Sequence, residues 1–445
     1  MGADPGQARV KLGGLSGIGR ALKSRNYRLF FSGQGVSLIG TWLTRVATSW
    51  LVYRMTGSAW LLGVVGFAGQ IPVFFLAPFA GVWADKVDRH KLLIATQVLS
   101  LLESVALAAL TLPGLITVWE IIALNVFQGV INAFDMPTRQ AFVVEMVDRR
   151  EDLPNAIALN SSLVNAARLV GPSMAGLLIA WVGEGGCFAI DAVSYLGVIL
   201  SLWMMRVAPR PARPARKVLP QLVEGFRYAA GFRPIRAVLT LLALMSLMGL
   251  PYMVLMPVMA KDILHGNAAT LGYLMAVSGL GALGGALFLA SRNTVVGLGK
   301  VIAFAAAGFG VALVGFGGSR FVWFSFLLMV PVGAGMMIQM AASNTIVQTL
   351  VDEDKRGRVM SFYTMALVGT TPFGSLLAGV LAEHLGAPRT LMVGGAVCVA
   401  GALYFATQLK GLREQVHPIY RRMGILPELA EGLNQTSELH TPPEE

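Results

Sequence analysis

The sequence predicts an all-α polytopic membrane protein, and three observations carry that reading. The 445 residues are 55% hydrophobic and only 13% charged, against about 25% charged in an ordinary soluble protein. Apolar runs long enough to span the hydrocarbon core, about 20 residues each, recur from Phe30 almost to the end of the chain. They show no strand alternation and are about twice the length a barrel strand needs, which favours helices.

Twelve such runs are expected, at 30–53, 60–82, 91–112, 116–135, 156–182, 186–206, 237–260, 269–290, 299–317, 321–342, 360–383 and 389–409. The first 27 residues are polar, glycine-rich and basic, without the apolar core of a signal peptide, so the N-terminus is expected to stay in the cytoplasm. On that orientation 29 of the 35 Lys and Arg fall on the cytoplasmic side. Four (Arg54, Lys261, Arg320 and Arg389) fall on the opposite face, and Arg45 and Arg168 lie inside helices. This is the positive-inside pattern. The net charge of +11 therefore reads as topology, and nucleic acid is not an expected partner. Cys187 and Cys398 sit in different apolar runs without metal-ligand spacing, so neither a metal nor another cofactor is implied.

The longest polar interruption, Arg206 to about Arg236, contains "RVAPRPARPARK", whose prolines exclude a buried helix, although Leu219 to Ala230 could form a surface one. It divides the chain into an arm (1–27), a six-helix bundle (28–206), a basic linker (207–236), a second bundle (237–409) and a tail (410–445), with both termini cytoplasmic. An internal repeat supports the division. "VEMVDRREDLPNAIALNSSLVNAARLVGPSMAGLLIAWVG" has a counterpart in "VQTLVDEDKRGRVMSFYTMALVGTTPFGSLLAGVLAEHLG", with Pro172 matching Pro372. Two pseudo-symmetric six-helix bundles about a central path are expected of a transporter.

Between spans two and three, "GVWADKVDRHK" crowds six ionisable side chains into eleven residues. Gly81 permits close helix approach or a tight exit, Asp85 can cap or face a helix N-terminus, and Lys86, Arg89 and Lys91 supply cytoplasmic charge. On these residues alone, a solvated topology-setting loop and a gating element are equally open. The stretch resembles the loop pattern G-x-x-x-D-[RK]-x-x-[RK]-[RK] of the major facilitator superfamily, with His90 interposed and Asp88 added. The resemblance implies the major facilitator fold and a cytoplasmic gate latch in which Asp85 helps hold the outward-facing state. In the second half "ASRNTVVGLGK" keeps Arg292 but has Ser291 where the acid should be.

The resemblance runs from roughly 24 to 410. "GTWLTRVATSWLVYRMTGSAWLLGVVGFAGQIPVFFLAPFAGVWADKVDRHKLL" and "AFDMPTRQAFVVEMV" look like the exporter branch that includes the enterobactin exporter, often called transmembrane secretion effector. That implies efflux of a small molecule powered by proton exchange. "RLVGPSMAG" partly matches the superfamily's antiporter motif through Gly171, Pro172 and Gly176. Pro172 removes an amide donor and the glycines allow close packing, so either a hinge or an ordinary kink would fit. In "NVFQGV", Asn125 stands where the family's arginine motif would place arginine, which argues against a proton relay through that residue.

Polar stripes run along otherwise apolar spans at spacings of three and four. Span one carries Gln34, Ser37, Thr41, Arg45 and Thr48, span four Asn125, Gln128, Asn132 and Asp135, and span five Ser161, Asn165 and Arg168. Such stripes should face a cavity or another helix rather than lipid. Arg45 and Arg168 lie ~20 Å from the cytoplasmic ends at 1.5 Å per residue, and a central arginine costs at least about 2.5 kcal/mol. Each therefore needs a partner, water or an anionic ligand. Proton-binding candidates are the acids, because desolvation favours a protonated carboxyl: Asp135, Glu103 deep in span three, and Asp191 near the outer end of span six.

Fourteen of the 21 methionines follow the linker, including Met245, Met248, Met253, Met256 and Met259 in span seven and Met336, Met337 and Met340 in span ten. Methionine accepts varied apolar shapes but also simply fills cores. A cationic half facing a methionine-rich half suggests a bulky amphiphilic substrate, anionic at one end. Gly279, Gly281 and Gly284 satisfy G-x-G-x-x-G without a preceding strand, so they read as helix packing, and "NQTS" at Asn434 falls in a cytoplasmic tail.

Three classes remain: a proton-coupled exporter of small molecules acting as a monomer, a lipid facilitator of the same fold, and a membrane enzyme. The last is disfavoured because the five histidines are scattered and no nucleophile and base constellation is visible.

Overall fold

The computed structural model describes residues 19–84, 86–207, 227–292, 294–352 and 355–422, and the described residues form helices joined by short connections, with no strand among them. The elements are α1 (Arg25–Thr56), α2 (Ala59–Ala84), α3 (Arg89–Thr111), α4 (Val118–Met146), α5 (Leu153–Trp203), α6 (Arg233–Met248), α7 (Tyr252–Val258), α8 (Ala268–Ala290), α9 (Leu298–Gly318), α10 (Val322–Leu350), α11 (Arg356–Thr364), α12 (Thr371–Leu385) and α13 (Ala387–Arg422). Two π-helical turns, Met259–Ile263 and Met365–Gly369, follow α7 and α11.

Among the described residues nine helices are long and apolar enough to cross a membrane. One of them covers two expected spans: α5 holds the fifth and sixth, which separate at Gly183, where φ 71° and ψ 177° break the helical path. Only glycine adopts that conformation without strain. α1 and α4 complete the twelve. They fall outside the nine because their polar stripes lower their mean hydropathy.

Local chemistry sets the helix ends. Asp88 caps α3, its Oδ1 accepting from the amides of His90 (2.9 Å) and Lys91 (3.2 Å). α4 starts in a capping box in which Glu120 Oε2 accepts from the Thr117 amide at 2.7 Å. α1 ends at Gly57, left-handed at φ 63°.

The chain forms two compact units. One comprises Met1–Gly57, Ala68–Arg216 and Gly266–Ala276, and the other Ser58–Phe67, Lys217–His265 and Val277–Glu445. In the first, α1 packs along α5, and Tyr27, Phe30, Leu93, Phe142, Met146 and Leu202 close one end as an apolar core. The end of the basic arm joins it. Arg20–Lys23 forms a 3-10 turn whose Ala21 is fully buried, its amide donating to Asn155 Oδ1 at 2.9 Å. Tyr27 Oη donates to the Ala156 carbonyl at 2.7 Å.

In the second unit backbones approach closely. A Cβ on Gly281 would strike the Val330 carbonyl and one on Gly285 the Ala334 carbonyl, so these two glycines serve helix packing, whereas Gly284 has no neighbour within 4 Å of such a Cβ. Span seven is not continuous: α6 stops at Met248 and the chain turns through Gly249, Leu250 and Pro251 before α7. α13 extends beyond the expected span end at 409 as far as Arg422. Asn434 lies outside the described residues.

Candidate functional site

In the loop after α2, Asp85 lies outside the described residues, as do the side chains of Gly81 and Ala84. Lys86 is exposed and Lys91 stands in the first turn of α3. Arg89 is tied down, its Nη1 2.8 Å from Glu145 Oε1 at the end of α4. His90 stacks on Phe142 at 5.7 Å between centroids and places Nε2 2.8 Å from the Leu202 carbonyl. The loop thus joins α3 to α4 and α5, and the capping acid described there is Asp88. In the second half Arg292 Nη2 donates to the Val296 carbonyl at 3.2 Å.

The α4 stripe turns inward within the first unit. Asn125 donates to the Ile121 carbonyl (2.9 Å) and lies against Gly69. Gln128 Nε2 donates to Ser100 Oγ (3.2 Å) and Asn132 Oδ1 (3.4 Å). Asp135 is buried and saturated: Oδ1 accepts from Thr96 Oγ1 (2.9 Å) and Gln97 Nε2 (2.7 Å), and Oδ2 pairs with Arg139. The sequence reading missed Arg139, although its four-residue spacing from Asp135 was available. Removing one partner of a buried pair strands the other charge. Arg139→Ala is therefore expected to cost about 3 kcal/mol, with Arg139→Lys retaining part of it. Thermal unfolding of the purified protein checks this, and an unchanged midpoint would show that Thr96 and Gln97 suffice.

The α1 stripe divides. Gln34, Ser37 and Thr48 are buried, Thr41 is half-buried and Arg45 is exposed. Beside it lies a cluster that the sequence scattered over three helices. Asp191 and Glu103 are 1% and 4% exposed, and among the described residues neither has a Lys or Arg partner. Asp191 Oδ2 accepts from Thr44 Oγ1 at 2.6 Å, and Ser194 Oγ stands 3.2 Å from Oδ1. Ser104 Oγ lies 3.1 Å from Asp191 Oδ2 and 3.3 Å from Glu103 Oε2. A hydroxyl owns one proton, so Ser104 can donate to only one carboxylate at a time. Gly40 lets α1 close over this cluster, because a Cβ there would strike Asp191 Oδ1. Tyr195, also buried, follows Ser194 on the same helix.

Arg45 faces away from the acids. Its guanidinium sits 5.0 Å above the Trp42 ring, and it feels the like charge of Arg168 on α5. Trp42 packs against Gly171, where a Cβ would lie 2.5 Å from the Trp42 Cβ. Gly176 meets Gly272 at the start of α8, with 2.5 Å from a Cβ to the Gly272 Cα. α5 stays helical through Pro172, so these glycines act by close approach. The side chain of Asn165 lies outside the described residues.

In the second unit Met245, Met256 and Met259 are fully buried and Met336 nearly so, whereas Met248 and Met340 are half-buried. Core packing thus accounts for several of the methionines. What the hydropathy hid is the tie between the broken span seven and the π turn of span eleven: Ser246 Oγ donates to the Leu367 carbonyl (2.5 Å) and lies 3.1 Å from Thr371 Oγ1. π turns and interrupted helices gather at functional sites. Gln339 is fully buried with Oε1 unpartnered and Nε2 donating to Ser343 Oγ at 3.4 Å.

The family profile described as transmembrane secretion effector matches residues 20–437, nearly the whole chain. The chain belongs to the transmembrane secretion effector family. It is similar to the staphyloferrin A transporter of Staphylococcus aureus, 27% identical over 85% of this chain and 95% of that protein. It is also similar to the enterobactin exporter EntS of Citrobacter koseri, 25% identical over 88% of this chain and 94% of that one. A solved bacterial homologue of the lysosomal transporter Spinster shares the fold at TM-score 0.68 and 14% identity, covering 87% and 96%. This member of the transmembrane secretion effector family is an integral membrane transporter, not an enzyme.

Proposed function

We propose that the protein exports small organic molecules, drug-like or siderophore-like amphiphiles, from the cytoplasm across the cell membrane by alternating access in exchange for protons. Its termini lie in the cytoplasm and the monomer is the working unit. Export rests on the relatives, whose names specify siderophore transport and export. Proton exchange rests on one observation: Glu103 and Asp191 are buried around a single Ser104 hydroxyl, and among the described residues neither pairs with a Lys or Arg. One proton satisfies the geometry. Glu103 as an acid donates to Ser104 Oγ, and Ser104 donates to Asp191 Oδ2. Two bare carboxylates would leave one oxygen facing a lone pair and two like charges uncompensated. Asp191 meets α1 at Thr44, so releasing the shared proton changes the charge held against α1. Asp135, held by Arg139, Thr96 and Gln97, serves as a structural anchor in this reading.

Uptake into inverted vesicles tests the proposal, with and without an imposed proton gradient, using cationic drugs, catecholate siderophores and lysophospholipids. Accumulation of a drug or siderophore that collapses when the gradient is dissipated supports antiport. Movement of lysophospholipid alone, indifferent to the gradient, would replace it with a lipid facilitator.

A further inference from the structure

A Ser or Thr hydroxyl inside a helix commonly turns back on it, donating to the carbonyl four residues earlier. Thr41, Ser49 and Thr56 of α1 do so, reaching the Ser37 (3.0 Å), Arg45 (3.0 Å) and Val52 (2.8 Å) carbonyls. Thr44 does not. Its Oγ1 lies 2.6 Å from Asp191 Oδ2, so its proton leaves the helix for α5. The carbonyl it forgoes is that of Gly40, and Gly40 is also where α1 sits on the same acid: a Cβ there would lie 2.3 Å from Asp191 Oδ1 and 2.6 Å from Ser194 Oγ. Two turns earlier, Gly33 seats α1 against Val198 and Ser201 in the same way. Thr44 therefore has one proton and two acceptors, the carboxylate across the helix contact and the carbonyl one turn back.

We infer that Thr44 is the positioning residue through which α1 reads the shared proton, donating to Asp191 while the proton is on Glu103 and to the Gly40 carbonyl once it has passed to Asp191. This rests on the antiport reading above, which supplies the shared proton. With Glu103 as the acid, Asp191 is a carboxylate that accepts from Thr44 and Ser104, the arrangement observed. The proton crosses through Ser104, which stands 3.3 Å from Glu103 Oε2 and 3.1 Å from Asp191 Oδ2. The Glu103 O–H bond breaks as one forms at Ser104 Oγ, and the original Ser104 O–H bond breaks as one forms at Asp191 Oδ2. Glu103 ends as the carboxylate that accepts from Ser104, and no other reactant enters. Asp191 is then a donor on the oxygen facing Thr44, so Thr44 accepts from it and turns its own proton to Gly40. Back-bonding of this kind commonly bends a helix, and here the bend falls at the glycine seated on the acid. The other ionisable groups of this unit near the pair are Tyr195 on α5 and Asp135 on α4, the latter held by Arg139, while Arg45 on α1 stacks over Trp42.

The test uses inverted vesicles carrying the full chain and two radiolabelled probes, the cationic dye ethidium and a triscatecholate siderophore. Each is followed as gradient-driven accumulation and as exchange of labelled for unlabelled probe at equal pH. Thr44→Val keeps the shape of the side chain and removes its hydroxyl. It should lower accumulation at least roughly tenfold, the weight of one hydrogen bond to a charged group, and leave exchange intact. Thr44→Ser keeps the hydroxyl and should recover most of the accumulation. Ser49→Ala, whose hydroxyl bonds its own helix, should accumulate both probes normally. Thr44→Ala is the second variant should valine not be accommodated, with the same pattern expected. Normal accumulation by a folded variant lacking the Thr44 hydroxyl, an equal loss in Thr44→Ser, or loss of exchange together with accumulation would overturn the proposal. The antiport reading fails in a different place: vesicles with the unaltered protein would then accumulate neither probe or be indifferent to the gradient, and this inference would fall with it.

Discussion

Asp191→Asn is expected to abolish gradient-driven accumulation while leaving the protein folded. The amide keeps the shape of the carboxylate and its oxygen still accepts from Thr44 and Ser104. What it lacks is an exchangeable proton. A positioned proton-transfer group contributes at least about 100-fold to a rate, and a loss of that order is anticipated in vesicle uptake. Glu103→Gln should act in the same direction by a different route. Its amide nitrogen donates permanently to Ser104 Oγ and so imitates the protonated acid. Exchange of labelled for unlabelled substrate, which needs no net proton movement, should survive in both variants. Normal accumulation by Asp191→Asn would remove the pair from the coupling mechanism, and loss of exchange as well would assign it a structural role.

The largest effect on stability is expected at Gly176. Its Cβ position lies 2.5 Å from the Gly272 Cα and 2.6 Å from the Ala268 carbonyl. Both obstacles are backbone, so no rotamer change relieves them. Overpacking of a close-fitted interior costs about 1–3 kcal/mol, and Gly176→Val should reach the top of that range by forcing Gly266–Ala276 away from α5. Gly171→Val meets the Trp42 side chain instead, which also carries the Arg45 guanidinium, so part of its strain can be relieved by side-chain movement and it should cost less. Thermal unfolding of the two variants separates the cases. An unaltered midpoint for Gly176→Val would mean that the helix contact is readily relaxed.

The spans were legible because hydropathy and charge asymmetry are properties of contiguous residues. The expected end of span five at 182 and start of span six at 186 bracket the break at Gly183, and the G-x-G-x-x-G run read as packing because no strand precedes it, which holds at Gly281. Interruptions inside apolar stretches were harder. Gly249–Leu250–Pro251 and the π turns change hydrogen bonding without changing hydropathy, although Gly and Pro so close together carried a signal. The α1 stripe was correct as a periodicity, yet half of it lies against other helices instead of at an open face. Long-range pairing stayed hidden. Glu103 and Asp191 are far apart in the chain, and the hydroxyls that join them come from α1, α3 and α5, so no local pattern relates them. Asp135 and Arg139 were the opposite case: a four-residue spacing on one helix, readable and passed over because Arg139 was assigned to cytoplasmic charge.

The most direct test of proton-coupled export is proton flux itself. The purified protein is reconstituted into sealed liposomes holding a pH-sensitive dye, and an outward or inward gradient of the compound found to accumulate in vesicles is imposed without any initial pH difference. Movement of that compound should drive protons in the opposite direction, changing internal pH with the unaltered protein but not with Asp191→Asn. Substrate movement with no change in internal pH would contradict antiport and leave a passive facilitator.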